Sequence, residues 1–275
     1  MLIVDAQVHI WKSGTPVIIH RQIRQYTKED LLREMNEGGV DAAVLCPPSW
    51  DPNAHDIAVE AAQAHPDKFC VLGYFDPKDP ASRTRITRWR EQPGVVGLRF
   101  AFLRKGEDRW LSDGTMDWVW VAAEKEGLPV ALLVPGKLHI VDQIAQKHPG
   151  LKLLIDHMGR VRHTVDDASF ADLDELLALA KYPNVAIKAT GAPSYSSDVY
   201  PYRNIHKYLQ RIFDAFGPQR TFWGTDITRM PCTLRQCVTM YTEEMPWLKG
   251  SDLELVMGRA ICEWVGWKLP ALPRG

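Results

Sequence analysis

Three side chains of the 275-residue chain combine reactive chemistry with a telling place, and they are His9, His157 and Asp226. Each closes an apolar run: Val4-Asp5-Ala6-Gln7-Val8-His9, Leu153-Leu154-Ile155-Asp156-His157, and Phe222-Trp223-Gly224-Thr225-Asp226. Two imidazoles and a carboxylate can activate water by general-base catalysis or hold a divalent metal ion. One polar group at the end of an apolar strand is more often a satisfied core residue. Three of them converging is costly unless they do something, because buried polar groups must be compensated. Asp226, His157 and His9 are therefore the catalytic candidates.

Further polar residues interrupt the same runs. Arg99 ends Val95-Val96-Gly97-Leu98-Arg99, where a guanidinium can stabilise a carbonyl oxygen or grip a carboxylate with two parallel hydrogen bonds. Lys188, in Ile187-Lys188-Ala189-Thr190-Gly191, either contacts ligand or pairs with Asp156 or Asp5, and the two readings weigh equally. Gln7, Tyr195 and His163 complete the substrate-binding candidates; with a period of two, Asp5, Gln7 and His9 share a face opposite Val4 and Val8. His20, Arg21 and Arg24 lie in the first long loop and either bind an anionic substrate or are simply solvated. His55, His65, His139 and His148 fall in helical patterns and read as surface or helix-end residues. Cys232 and Cys237 are five apart with no evident base, so neither reads as a nucleophile.

The elements that must position these groups repeat one cadence eight times. Strand candidates fall at 2–9, 41–48, 69–77, 95–102, 128–135, 151–159, 184–191 and 220–227. The spacing is roughly 25–40 residues, the length of a strand–helix unit. Between them lie helical patterns: one begins after Thr27, one spans Asn53 to His65, one runs from Asp117 to Glu126 and stops at Gly127, and one runs from Lys137 to His148. Near-continuous apolar strands imply a parallel sheet covered by helices. Absence of a GxGxxG or Walker loop after the first strand favours a single-domain (β/α)8 barrel over residues 1–275 rather than an open doubly wound sheet. In such a barrel, chemistry sits at the strand C-termini and on the loops beyond, of which 10–26, 103–114 and 192–204 are longest. Tyr195, Tyr200, Tyr202 and Arg203 on the last of these either cover a ligand or are solvated.

Composition narrows the class. The chain carries 33 basic and 34 acidic residues, so charge gives no reason to seek nucleic acid or a membrane surface. Five scattered cysteines without a CxxC pair read as reduced, which suggests the cytoplasm, and the sequence holds no apolar run of membrane-spanning length. Ten tryptophans, several near loops, suit a cleft for a ring-shaped ligand, although structural Trp is the commoner role.

Met1–His9, Ile155–Gly159, Trp223–Asp226 and Gly97-Leu98-Arg99-Phe100 resemble the amidohydrolase-related hydrolases of the "amidohydrolase 2" type. That group includes sugar lactonases, 2-pyrone-4,6-dicarboxylate lactonases and non-oxidative decarboxylases of aromatic or muconate-type acids. The resemblance implies a lactonase-like hydrolase of sugar or aromatic catabolism, with Asp226 activating water, Arg99 serving the substrate, and Lys188 matching a KxSG element. The sequence departs from the family's His-x-His, which here reads Gln7-Val8-His9, and from a strand-five His, where the run is Ala131-Leu132-Leu133-Val134-Pro135. Gln amide is a poor metal ligand, so two cofactor readings stay open: none, or one zinc or manganese ion on His9, His157 and Asp226. Alternatives are a metal-dependent decarboxylase or hydratase of an aromatic acid, and an inactive ligand-binding barrel. A small-molecule substrate is the expected partner, with self-association left open.

Overall fold

A computed structural model describes residues 1–268. Eight strands run β1 (Val4–Val8), β2 (Ala42–Leu45), β3 (Phe69–Gly73), β4 (Val95–Phe100), β5 (Val130–Leu132), β6 (Leu153–Ile155), β7 (Val185–Thr190) and β8 (Thr221–Gly224). They form one sheet in sequence order, and each pairs in parallel with the next. The last strand returns to the first. Asp226 N–H donates to the Gln7 carbonyl at 2.7 Å, and Thr225 N–H donates to Asp5 Oδ1 at 2.8 Å. The result is a nearly closed barrel, as the strand rhythm predicts.

Every strand residue is buried, because helices cover the outside and side chains fill the inside. Val4, Ala6, Val44, Leu72, Ala131, Leu154, Ala186 and Phe222 pack together inside with Ala260, Ile261 and Val265 of the last helix, Ala260–Val265. That helix follows a turn in which Gly258 sits directly on Leu2 and Val4, where a Cβ would lie 2.5 Å from the Leu2 carbonyl oxygen. The barrel is thus plugged where β1 begins, and the opposite mouth is left for function.

The surrounding helices follow their local signals. Lys28–Gly38 starts at Thr27, whose side chain accepts from Asp30 N–H while the Asp30 carboxylate returns to Thr27 N–H, and it ends at Gly39 with φ 75°. Such a cap contributes about 1 kcal/mol. Leu138–Lys147 buries Leu138, Val141, Ile144 and Ala145 at helical spacing.

Two details depart from simple periodicity. In β1 the register shifts between Asp5 and Val8, so Asp5, Gln7 and His9 do not share a face. Asp5 turns to Thr225, whereas Gln7 turns to Cys46 and Lys188; a bulge inserts one residue and breaks the alternation. The sixth run ends as a strand at Ile155 and bends sharply over Asp156–Gly159, where His157 (φ 53°) and Met158 (φ 58°) are left-handed.

Candidate active site

Asp226 lies just beyond β8 with φ 56° and ψ 51°. It and His157 are therefore both left-handed non-glycine residues at strand ends. Such conformations cost of order 1–3 kcal/mol each and are kept where surrounding structure demands them. The bends turn both side chains inward over the barrel mouth.

His9 Nε2 is 3.5 Å from Asp226 Oδ1, His157 Nε2 is 3.6 Å from Oδ2, and the Arg229 Nε is 3.1 Å from Oδ2. The structure thus brings His9, His157 and Asp226 together. It adds two residues that the strand-end argument did not reach. One is Arg229, three residues past Asp226 on a short turn, Ile227–Arg229. The other is His20, whose Nδ1 is 3.9 Å from Asp226 Oδ1. His20 is buried and tied to Thr228 Oγ1 at 2.8 Å, so it belongs to the site rather than to solvent.

The imidazoles are neutral and oriented. His9 Nδ1 faces the Cys46 carbonyl, which can only accept, so Nδ1 carries the proton and the Nε2 lone pair faces Asp226. His157 Nδ1 lies 2.7 Å from Thr190 Oγ1, which in turn faces the Lys188 carbonyl. Burial pushes the His9 pKa down to about 3, and burial with Arg229 nearby holds His157 well below its ordinary value. His20 is lowered, again chiefly by burial. Burial alone would raise Asp226, yet the surrounding imidazoles and Arg229 hold it well below the usual carboxylate range.

Beneath this layer runs a buried ionic network. Lys188 Nζ donates to Asp156 Oδ1 at 2.9 Å and also to Gln7 Oε1, and Arg99 Nε donates to Asp156 Oδ2 at 2.6 Å. Burial works against the Asp156 anion, but Lys188 and Arg99 hold its pKa below the ordinary value. Arg99 lines the cleft above. Lys188 and Gln7 do not; they are fully covered, with no exposed surface. Their expected contact with substrate is corrected to support from below: Asp156 takes the ammonium, and the amide oxygen accepts from it.

The cleft over Asp226 is lined by His9, His20, Trp50, His55, Tyr74, Arg99, Arg104, His157, Arg162 and Arg229, among others. Tyr195 and His163 lie instead around a neighbouring pocket. Tyr195 is buried and its hydroxyl accepts from Arg229 Nη2 at 3.1 Å, so it positions the guanidinium rather than touching the cleft. His163 is exposed on the loop after β6. Tyr200 bonds Thr239, Tyr202 is buried, and Arg203 pairs with Glu244, so none of them covers the cleft. His55, in the first turn of the helix Ala54–Ala64, lines the cleft, and His148 caps the C-terminus of Leu138–Lys147, buried beside Glu124 at 3.0 Å, so both are helix-end rather than plain surface histidines. Arg162 was missed because it follows a turn rather than a strand. It is partly buried, and among the described residues no carboxylate lies within ion-pairing distance; burial, Arg229 and Arg99 lower its pKa.

The residues fit a divalent cation. Asp226 Oδ1 is buried without a hydrogen-bond partner among the described residues, and His9 Nε2 beside it presents a lone pair, the donor chemistry that zinc takes. The Cys46 carbonyl behind His9 is the kind of outer partner that orients a metal-ligating imidazole.

The family model described as Amidohydrolase matches residues 4–273. An L-fucono-1,5-lactonase of Burkholderia ambifaria is 22% identical over 81% of this chain and 79% of its own length. A 4-sulfomuconolactone hydrolase of Hydrogenophaga intermedia is 24% identical over 81% of this chain and 73% of its own. The crystal structure of an amidohydrolase from Burkholderia multivorans with bound zinc superposes with a TM-score of 0.83 at 19% identity, covering 98% of this chain and all (100%) of that one. At that identity the likeness carries the fold.

Proposed function

The chain belongs to the Amidohydrolase family, and from that premise we propose that it hydrolyses a small lactone bearing an acidic group, in sugar or aromatic catabolism. The observation that carries the proposal is the cleft itself. An anionic Asp226 stands among neutral imidazoles on its floor, and Arg99, Arg104, Arg162 and Arg229 line it. Of the acidic side chains in the lining, Asp51 accepts from the backbone of Lys12, Ser13 and Asn53, and Glu107 from that of Arg104. The surplus of positive charge suits an anionic substrate. The relatives named lactonase and sulfomuconolactone hydrolase support the same reaction type.

The chain's residues divide the work as follows. Arg162, lacking a carboxylate partner, binds the acidic substituent by charge-assisted hydrogen bonds. Arg99, fixed through Nε by Asp156, turns its remaining N–H groups to the lactone carbonyl oxygen and stabilises negative charge there as water adds. Asp226 holds the attacking water as an anionic acceptor. His157, with its Nδ1 proton on Thr190 Oγ1, offers Nε2 to the water proton and returns it to the ring oxygen as the carbonyl carbon–oxygen bond of the ring breaks. The product is the open hydroxy acid. A divalent ion seated against Asp226 would supply Lewis acidity to the water and the carbonyl oxygen. Five free thiols support a reducing compartment, the cytoplasm. Among the described residues no helix is long and apolar enough to cross a membrane.

The test is a panel of acidic and neutral lactones followed by acid release in a pH-stat. Ring opening of acidic lactones with a higher kcat/KM than their neutral counterparts supports the reading. Carbon dioxide release from aromatic acids in place of ring opening would contradict it.

A further inference from the structure

We infer that a divalent cation is held by His9, His20 and Asp226 Oδ1, with His157 outside the ligand set. One ligand atom from each of His9, His20 and Asp226 lies within 4.8 Å of the others. The ligand atoms of a tetrahedral zinc with bonds of about 2.0–2.1 Å are spaced by roughly 3.3 Å. The separations from Oδ1, 3.5 Å to His9 Nε2 and 3.9 Å to His20 Nδ1, need only a small contraction.

The two oxygens of Asp226 face different company. Oδ2 has the Arg229 guanidinium at 3.1 Å and His157 at 3.6 Å, so a fixed positive charge already occupies that side. Oδ1 is buried and unpartnered, and it faces His9 and His20. A cation placed there meets one anion and two neutral donors, on the carboxylate oxygen that Arg229 does not pair with. The strand-one position two residues before His9 gives no help. Gln7 Oε1 accepts from the Lys188 ammonium and the Cys46 thiol, and the ammonium keeps a second cation off that side.

His20 takes up that vacancy in the donor set from above, and its place is built. The loop 10–26 is clasped at its base by paired backbone hydrogen bonds between Trp11 and Tyr26. Arg21 N–H donates to the Thr228 carbonyl at 2.7 Å, and the His20 ring packs on Trp50 with centroids 4.8 Å apart. The Thr228 hydroxyl lies 2.8 Å from His20 Nδ1, the nitrogen nearest Asp226 Oδ1, so the ion takes the lone pair to which that hydroxyl donates in the metal-free protein. Asp226 and Thr228 belong to one turn, so the turn that presents the carboxylate also seats the histidine. Two imidazoles and one carboxylate make a three-ligand site with a position open, the pattern of catalytic rather than structural zinc.

The test uses the full chain, stripped with chelator and titrated with zinc alone by calorimetry, together with zinc K-edge X-ray absorption on the loaded wild type. The wild type takes about one zinc per chain, His20→Ala binds at least about tenfold more weakly, and His157→Ala binds like wild type. The absorption spectrum shows about two imidazoles on the ion, a count that needs no variant to fold. No binding by the wild type, three imidazoles in the spectrum, or equal losses in His20→Ala and His157→Ala would overturn the assignment. None of these readouts depends on lactone turnover, so failure of the proposed reaction and failure of the ligand set are separable.

Discussion

Arg229 pairs its charge with one oxygen of Asp226 and leaves the other to neutral groups: its Nε is 3.1 Å from Oδ2, while Oδ1 faces the His9 and His20 imidazoles. The guanidinium is itself fixed by the Tyr195 hydroxyl at 3.1 Å. One carboxylate is thereby divided into a side facing a fixed cation and His157 and a side facing His9 and His20. Replacing Asp226 by Asn keeps the shape and removes the charge. Hydrolysis is expected to fall by at least about 10³-fold, in line with loss of a preorganised charge at the reacting centre, while circular dichroism and the melting profile stay close to wild type.

Arg162 is the cation of the cleft with no acidic partner among the described residues. Arg162→Gln should raise KM for an acidic lactone by roughly 10- to 100-fold, the equivalent of about 1.5–3 kcal/mol for a charged hydrogen bond. The kcat for that substrate, and both constants for a neutral lactone, should change little. An equal loss on the two substrates in steady-state assays would remove Arg162 from acid recognition.

The Lys188–Asp156–Arg99 network is buried throughout. Lys188→Met leaves Asp156 with one cation fewer and should cost about 3–5 kcal/mol in urea unfolding, because a buried charge loses its partner. Lys188→Met combined with Asp156→Leu should cost less than the sum of the two single changes. Additive losses would show that the pair is not coupled.

Acid should destabilise the chelator-treated protein early. The buried histidines have folded-state pKa values below the ordinary 6.5, His9 at about 3. As pH falls through 6.5 the unfolded chain takes up protons that the folded chain refuses, so stability is present above 6.5 and is lost on acidification towards about 3. Asp5 opposes this. Burial raises its pKa to about 7, so between that value and its ordinary 3.8 the folded chain keeps a proton that the unfolded chain has released. Chemical unfolding at a series of pH values should show a net fall below 6.5, and a steeper one in Asp5→Asn.

Strand rhythm carried the barrel from sequence to structure, because burial on both faces forces long apolar runs whose spacing is hard to disguise. His9, His157 and Asp226 were legible for a related reason: each is a polar residue where an apolar strand stops. Lys188 and Gln7 were as conspicuous, but alternation along a strand gives a face, not a height, and both lie beneath the cleft floor. The bulge between Asp5 and Val8 has no simple pattern to announce it. His20 and Arg162 sit on loops, where position depends on long-range ties such as Arg21 to Thr228, and no periodicity records those.

The most direct test of the central claim is isotope incorporation. An acidic lactone is opened by the protein in water enriched in oxygen-18, and the product is analysed by mass spectrometry. Hydrolysis at the carbonyl carbon predicts one labelled oxygen in the new carboxylate, formed by wild type and nearly absent with Asp226→Asn. An unlabelled product, or labelled product formed as fast by Asp226→Asn as by wild type, would contradict water activation at Asp226.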